Sequence, residues 1–138
     1  MRVLGIDFGL KRVGLAVCDQ TQTLVSPLKT LERTTRNALF DELLEIIVQE
    51  SVGAIVVGLP LSLEGEDTLT TRQARNFAES LGRRTDLPIH LMDERLTSAQ
   101  AEEELNAAGL RGKKRKQALD SQAATIILRS WLENGHSS

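Results

Sequence analysis

The sequence predicts an α/β fold with a five-stranded mixed sheet, a three-strand meander plus two parallel strands, flanked by helices. Three apolar runs separated by turn residues open the chain, as in a meander of antiparallel strands. The apolar period then lengthens from two to about 3.6 residues, and two further short apolar runs alternate with amphipathic segments. This alternation is typical of parallel strands joined by right-handed crossovers. We expect one domain over residues 1–138, since a chain of 138 residues can bury one ordinary core.

The first two strands are predicted at residues 3–6 and 13–18, which are apolar nearly throughout. The gap between them is short, so a hairpin is the simplest connection, with Lys11 and Arg12 in its turn. This hairpin would hold Asp7 well inside the sheet.

The third strand is predicted at residues 24–31, where Pro27 confines it to a sheet edge or a bulge. Residues 34–50 repeat apolar side chains at three- and four-residue intervals, which predicts a helix. The continuous apolar run 54–59 predicts a central strand covered on both faces, and Pro60 ends it. Right-handed crossovers would place this strand beside the first one.

The later part of the chain completes the alternation of helices and strands. Its predicted elements are a ligand-facing loop at 61–69, a helix at 70–84, a strand at 89–92, a helix at 98–108 and a last helix at 119–133. Between the last two helices, residues 111–116 form a connecting segment with five cations and no anion. Such a charge run is often only a solvated connection, and it is also a candidate phosphate-binding surface.

The composition excludes several classes of protein. A hydrophobic content of 41% with 26% charged residues is ordinary for a soluble protein, and no apolar run approaches the ~20 residues of a membrane span. The first residues enter a strand directly, so we expect no secretory signal. The single cysteine, Cys18, allows no internal disulfide and agrees with a reducing cytoplasm. With 3% aromatic residues and a net charge of −2, any bound nucleic acid would be held through phosphates and shape.

Asp7 is the most informative residue because it places a carboxylate within a pair of apolar strands. A charge there is costly unless it is paired, hydrated or bound to a cation. Three interpretations stay open: a structural Asp that caps the turn, the phosphate-loop Asp of sugar kinases and actin-like ATPases, or a metal ligand of a ribonuclease-H-like nuclease.

Two more carboxylates are expected near Asp7. Glu94 follows the last predicted strand, and Asp120 falls in the first turn of the last predicted helix. Each has an ordinary explanation, since Glu94 could pair with Arg95 or Lys11 and Asp120 could cap its helix. Three carboxylates at one sheet edge would repel one another, and a bound cation removes that repulsion.

Such a cluster suits phosphodiester hydrolysis. Two Mg2+ ions ~4 Å apart supply an activated water and neutralise the charge that grows on the phosphoryl group. Magnesium prefers oxygen ligands, so three carboxylates suffice. Neither His90 nor His136 has the spacing of a zinc ligand.

Four sequence blocks carry a resemblance to a known family. They are DFGLKRVGLAV at 7–17, VVGLPLSLEGE at 56–66, DERLTS at 93–98 and KKRKQALDSQAA at 113–124. Together they resemble the YqgF family of ribonuclease-H-like proteins, also described as RuvX-type Holliday junction resolvases and pre-16S ribosomal RNA nucleases. The blocks occur in the family's order and span nearly the whole chain.

The resemblance implies a ribonuclease-H-like fold with a two-metal site for Mg2+ or Mn2+. Asp7, Glu94 and Asp120 match the acidic triad that is expected to hold the metal and perform catalysis. Arg95, Lys113, Lys114 and Lys116 match basic positions of the family. With Lys11, Arg12, Arg111 and Arg115 they form the set that we expect to bind nucleic acid.

The leading hypothesis is a cytoplasmic, metal-dependent endonuclease that matures the 5′ end of 16S ribosomal RNA, acting on the precursor RNA or the ribosomal particle. A Holliday junction resolvase acting on branched DNA would use the same site, and cutting two opposed strands calls for a two-fold dimer. The protein could therefore be a monomer or a homodimer, with no membrane partner. Two alternatives from other classes are an ATP-binding domain and a non-catalytic ribosome-assembly or nucleic-acid-binding factor.

Overall fold

Five strands and three helices make up the regular structure of the part of the chain that is described. A computed structural model describes residues 1–9, 11–60, 64, 66–93 and 112–133, of which 112–120 are described only as helical backbone. The strands are β1 (Arg2–Phe8), β2 (Arg12–Cys18), β3 (Val25–Glu32), β4 (Val52–Leu59) and β5 (Ile89–Asp93). The helices are α1 (Arg36–Gln49), α2 (Leu69–Gly82) and α3 (Gly112–Glu133).

The strands form one mixed sheet in the order β3-β2-β1-β4-β5. The short turns make β1, β2 and β3 antiparallel neighbours, and β1 pairs in parallel with β4, which pairs in parallel with β5. This confirms the predicted meander with two parallel strands. It also makes β1 the central strand, as expected for the strand that carries Asp7.

Pro27 lies both on an edge strand and at a bulge. In the pairing of β2 with β3, Leu15 faces Lys29 while its neighbour Ala16 faces Pro27, so Leu28 is an extra residue on β3. A proline cannot donate to the sheet ladder, which is why it is accommodated at such a position. The prediction for this strand is confirmed.

Both faces of the sheet are covered. On one face, alternate residues of the strands, among them Ile6, Leu15 and Ile55, pack against α1 and α2. On the other face, Val3 and Val56 belong to a core with the apolar side of α3. The burial of both faces of β4 is the reason for its continuous apolar sequence.

Helix α2 begins with a capping box that ties it to the end of β4. The hydroxyl oxygen of Thr68 accepts a hydrogen bond from the backbone amide of Thr71, and the Thr71 hydroxyl oxygen accepts one from the Thr68 amide. Thr71 is buried, and its hydroxyl also lies 2.7 Å from the carbonyl oxygen of Pro60. These contacts fix where α2 begins after the loop that follows β4, and they were not predicted from the sequence.

The predicted start of the last helix was wrong. Helix α3 begins at Gly112, so residues 112–116 of the basic segment are helical and do not form an irregular connection. Lys, Arg, Gln, Ala and Leu all have good helix propensity, and no proline interrupts them before residue 120. Repulsion between like charges one turn apart costs only about 0.2–0.5 kcal/mol per pair, which is too little to end a helix.

Some predicted elements fall outside the described residues. These are the helix at 98–108 and most of the first half of the loop at 61–69. Within the described residues, no helix has both the length and the apolar character needed to cross a membrane.

Candidate active site

Asp7 is the penultimate residue of β1 and lies on the face of the sheet that α3 covers. Leu4, Ile6 and Phe8 pack on the side of α1 and α2, whereas Val3 belongs to the core beneath α3. Because side chains alternate along a strand, Asp7 shares the face of Val3. Its side chain is half-buried, and it makes polar interactions there.

Gly5 allows α3 to approach β1 very closely. A Cβ atom at this position would lie 2.8 Å from the Cβ of Leu128 and 3.0 Å from the carbonyl oxygen of Ala124. These distances are shorter than ordinary contacts, so the two backbones reach this separation because residue 5 has no side chain. Asp120 precedes Ala124 by one helical turn, and Asp7 lies two residues beyond Gly5 on β1.

A row of paired residues connects Asp7 to the same part of α3. Gly14 on β2 pairs with Asp7 on one side and with Thr30 of β3 on the other. The hydroxyl oxygen of Thr30 lies 2.7 Å from that of Ser121, whose side chain is buried. Since paired residues of neighbouring strands stand at the same height in the sheet, α3 reaches the level of Asp7 at residue 121. The backbone of Asp120 is therefore at this level too.

Asp120 does not lie in the first turn of its helix, contrary to the prediction, so the alternative that it only caps the helix does not apply. It is the ninth residue of α3, about two turns after Gly112, and the first turn contains no acidic residue. The interaction of a carboxylate with the helix dipole fades within the first turn. A capping role is thus excluded, and Asp120 needs another explanation.

Glu94 lies outside the described residues. Its predecessor Asp93 ends β5 and pairs with Leu59 at the end of β4. The parallel strands β1, β4 and β5 thus finish at the same edge of the sheet, which is where open α/β sheets bind ligands. Among the described residues, acidic, histidine and cysteine side chains do not form a group of three.

The tip of the β1–β2 hairpin is fixed by Arg33. Its guanidinium donates a hydrogen bond of 2.9 Å to the carbonyl oxygen of Gly9, and its amide donates to the carbonyl oxygen of Lys11. The same guanidinium lies 4.4 Å from the centre of the Phe8 ring. Lys11 is exposed in the turn as predicted, whereas Arg12 is already the first residue of β2.

The other predicted basic residues lie on or before α3. Arg95 and Arg111 are outside the described residues. Lys113, Lys114, Arg115 and Lys116 belong to the first two turns of α3, where the backbone alone is described. The helix extends about 12 Å from Asp120 to its N-terminus, so these residues lie on the part of α3 that continues past the level of Asp7.

Sequence reasoning missed three residues that shape this region. Gly5, Thr30 and Arg33 belong to no motif, because each acts through a partner far away in the chain. Only the contact of Gly5 had a detectable signal, namely a glycine within an otherwise apolar strand, which indicates close approach of another backbone.

The sequence matches the family described as RuvX, Holliday junction resolvase, over residues 1–134. The chain belongs to the RuvX family. A protein of Maridesulfovibrio salexigens, provisionally named pre-16S rRNA nuclease, is 68% identical over 132 residues, covering 96% of this chain and 98% of that protein. A protein of Anaeromyxobacter with the same provisional name is 38% identical over 136 residues, covering 99% of each. The resemblance found in the sequence blocks is therefore confirmed.

Solved structures with a similar fold include two resolvases. Thermus thermophilus RuvC in complex with a Holliday junction substrate has a TM-score of 0.61 at 17% identity, covering 99% of this chain and 96% of that one. Fowlpox virus resolvase in complex with Holliday junction DNA has a TM-score of 0.60 at 9% identity, covering 97% and 98%. These likenesses confirm the ribonuclease-H-like α/β fold.

Proposed function

We propose that this RuvX-family chain is a divalent-metal-dependent endonuclease that matures the 5′ end of precursor 16S ribosomal RNA. The family match and the shared name of its relatives support a nuclease. The observation that carries the active-site assignment is the close packing of α3 on β1 at Gly5. It brings the backbone of Asp120 toward the level of Asp7 at the edge where the parallel strands end.

Asp7, Glu94 and Asp120 would hold two Mg2+ or Mn2+ ions. The set fits such ions because it consists of carboxylates, which are hard oxygen ligands. Asp7 fits as well, since it is half-buried on a strand whose residues 3–6 are apolar, where a nearby cation stabilises a carboxylate. Such ions supply water activation and neutralise the charge that develops on the phosphoryl group.

The basic residues would bind the phosphates on either side of the scissile bond. Lys11 stands at the hairpin tip, three residues after Phe8 ends β1, and so lies beside the Asp7 edge. Arg12 starts the neighbouring strand. Together with Arg95, Arg111 and the four cations of the first turns of α3, they would provide a sequence-independent electrostatic attraction.

The cytoplasm is the proposed location, because ribosomal RNA is matured there. The single cysteine is consistent with a reducing compartment, since Cys18 is a buried free thiol on β2. It packs in the core beneath α3, as a small hydrophobic residue does.

A Holliday junction resolvase is the second candidate, favoured by the printed description of the matching family. The same three carboxylates would cut branched DNA. This activity needs a two-fold dimer, because two opposed strands must be cut symmetrically. A monomer in solution would therefore argue for the RNA substrate.

The test is cleavage of precursor 16S RNA and of a four-way DNA junction, each with Mn2+ and with EDTA, by the wild type and Asp7→Asn. Asp41→Asn is the matched control, because Asp41 is an exposed carboxylate on α1, on the other side of the sheet. We expect metal-dependent cutting of the RNA by the wild type and the control, and none by Asp7→Asn.

Metal binding gives a second readout that does not depend on turnover. Mn2+ at about 100 times its dissociation constant stabilises the folded state by about 2.7 kcal/mol, so it should raise the melting temperature of the wild type and less so that of Asp7→Asn. Cleavage of the junction alone would select the resolvase. Binding of either nucleic acid without metal-dependent cutting would refute the nuclease and favour a ribosome-assembly factor.

A further inference from the structure

A basic cleft lies on the opposite face of the sheet from Asp7. It has a volume of about 410 Å³ and is lined by the residues that join β3 to α1, by the first turns of α1 and by one side of α2. Phe8, Phe40 and Phe77 form its apolar floor, with ring centres 4.4 Å apart for Phe8 and Phe77 and 5.6 Å apart for Phe40 and Phe77. Among the described residues that line the cleft, none is acidic.

Three arginines stack on the rings of this floor. The guanidinium of Arg33 lies 4.4 Å from the ring centre of Phe8, and those of Arg36 and Arg84 lie 5.6 Å and 4.1 Å from that of Phe40. The rings are buried, so they are not available for stacking on bases. A guanidinium that uses its face to stack still offers the N–H groups along its edge, and this fork matches the oxygens of a phosphate.

Arginines also converge on Ser80, which is buried near the end of α2. Nη2 of Arg36 and Nη2 of Arg83 both donate to the Ser80 hydroxyl oxygen, the latter at 3.0 Å. Nη1 of Arg84 donates to the Ser80 carbonyl oxygen at 2.8 Å. Three positively charged side chains thus donate hydrogen bonds to the same uncharged residue. Within the described residues, the ion pairs of the structure do not include these three arginines.

The helix dipoles account for only part of this cluster. Arg83 and Arg84 follow the C-terminal end of α2, where a cation is favourable. Arg36 is the first residue of α1, where the dipole disfavours a cation and favours an anion. The contacts with Ser80 and Phe40 hold Arg36 in place, and a bound anion there would be favoured both by its charge and by the dipole of α1.

The cleft opens at the same edge of the sheet as Asp7. Phe8 of its floor is the residue after Asp7 and points to the other face. Arg33 links the cleft to the strand end that carries Asp7, because its guanidinium stacks on Phe8 and donates a hydrogen bond to Gly9 at the hairpin tip. A nucleic acid that crosses this edge can meet the carboxylate on one face and the arginines on the other.

We propose that Arg36, Arg84 and Arg33 form a second phosphate-binding site, which grips the phosphodiester backbone of the nucleic-acid substrate away from the bond that is cut. This inference rests on the proposed nuclease function. The nucleic acid is favoured over a free nucleotide because the buried rings leave no open aromatic face for a base.

The test is the salt dependence of nucleic-acid binding by the full chain in EDTA, which prevents cutting. The probes are a labelled precursor 16S RNA fragment and a labelled four-way DNA junction. The variant Arg36→Gln/Arg84→Gln removes two cations and keeps much of each side-chain stem. The matched control Lys29→Gln/Arg75→Gln removes two cations that are paired with Glu42 and Asp67 elsewhere.

The cleft variant should bind more weakly than both the wild type and the control. Each phosphate contact with a duplex contributes about 0.9 to the slope of log affinity against log salt, so two lost contacts flatten it by about 1.8. Between about 50 and 200 mM salt, wild-type affinity should therefore fall about tenfold more than that of the variant. The variant Arg36→Lys/Arg84→Lys should retain the slope, because the charge is kept, while binding more weakly through loss of the planar fork.

Equal slopes for the cleft variant and the control would overturn the second site while leaving the nuclease intact. Absence of any binding by the wild type would refute the proposed function and this inference together. Binding of ATP that is lost in the cleft variant, with unchanged binding of both nucleic acids, would make the cleft a nucleotide site and likewise refute the proposal. Melting temperatures of all variants, measured alongside, identify any that are unfolded. If the glutamine variant is unfolded, the affinity of the lysine variant carries the test, and wild-type affinity in that variant would overturn the second site.

Discussion

The substitution Gly5→Ala tests whether the contact between β1 and α3 positions the proposed active-site residues. The added methyl group would meet the Cβ of Leu128 at 2.8 Å and the carbonyl oxygen of Ala124 at 3.0 Å. The carbonyl oxygen of Ala124 is part of the α3 backbone and the Cβ of Leu128 is bonded to it, so neither atom can rotate away. Helix α3 must therefore move by roughly 0.6 Å to restore an ordinary contact of 3.4 Å. This helix carries Asp120.

The expected loss of stability combines two opposing effects. Overpacking of a close contact costs about 1–3 kcal/mol, whereas replacing glycine in a compatible conformation returns about 0.4–1 kcal/mol through the unfolded state. The net loss is about 0.5–2 kcal/mol. For a chain of 138 residues this lowers the melting temperature by roughly 2–7 °C.

The control for this experiment is Gly53→Ala. A Cβ at Gly53 would meet Cγ and Sδ of Met1, but these atoms belong to a flexible exposed side chain that can move aside. The melting temperature of the control should stay within about 3 °C of the wild type or rise. Both variants are melted without metal and assayed for RNA cleavage with Mn2+ well below their transitions.

We expect Gly5→Ala to lose cleavage and Mn2+ affinity at temperatures where it is folded, because the displaced helix carries a proposed metal ligand. Truncating Leu128 to Ala should not restore it, since the clash involves Cβ, which alanine keeps. Wild-type stability and activity in Gly5→Ala would show that α3 is not positioned by this contact.

Two further predictions concern hydrogen bonds of the described residues. The hydroxyl oxygens of Thr30 and Ser121 lie 2.7 Å apart, so Thr30→Val and Ser121→Ala, made singly and together, should show a coupling energy of about 1 kcal/mol in the free energy of unfolding by denaturant. Losses of unfolding free energy that simply add in the double variant would contradict this hydrogen bond. The pKa of Asp19 is lowered, chiefly because its carboxylate accepts a hydrogen bond from the Thr23 amide. The ionised carboxylate therefore stabilises the folded state at pH values above its unfolded pKa of about 3.9. This stabilisation is lost as the pH falls through the lower pKa of the folded state. Asp19→Asn should therefore lower the melting temperature near neutral pH and leave it unchanged near pH ~2, and an equal decrease at both values would refute the role of the charge.

The sequence by itself determined the strands, their order and the position of Asp7. Strand periodicity is local, short turns allow only antiparallel neighbours, and right-handed crossovers leave one place for β4 beside β1. Pro27 could be assigned to an edge or a bulge for a similarly local reason, because it lacks an amide hydrogen. The charge of Asp7 was conspicuous for the same reason, since it interrupts an apolar pattern.

Only the tertiary structure decided where α3 begins and at which position of the helix Asp120 lies. The run of cations before Asp120 resembled a solvated connection, because like charges repel. That repulsion is weak in water, whereas good helix formers without a breaker continue a helix that is anchored by packing of its later turns. The ninth position of Asp120 follows from this extension.

The arginine cleft was likewise decided by the tertiary structure. Arg36 begins α1 and Arg84 follows the end of α2, so their proximity depends on how both helices pack on one face of the sheet. Gly5 depends in the same way on Leu128, far away in the chain. Local sequence specifies backbone conformation through neighbouring residues, whereas contacts of this kind form only when distant elements pack in one core. For this reason no spacing or motif in the sequence predicted them.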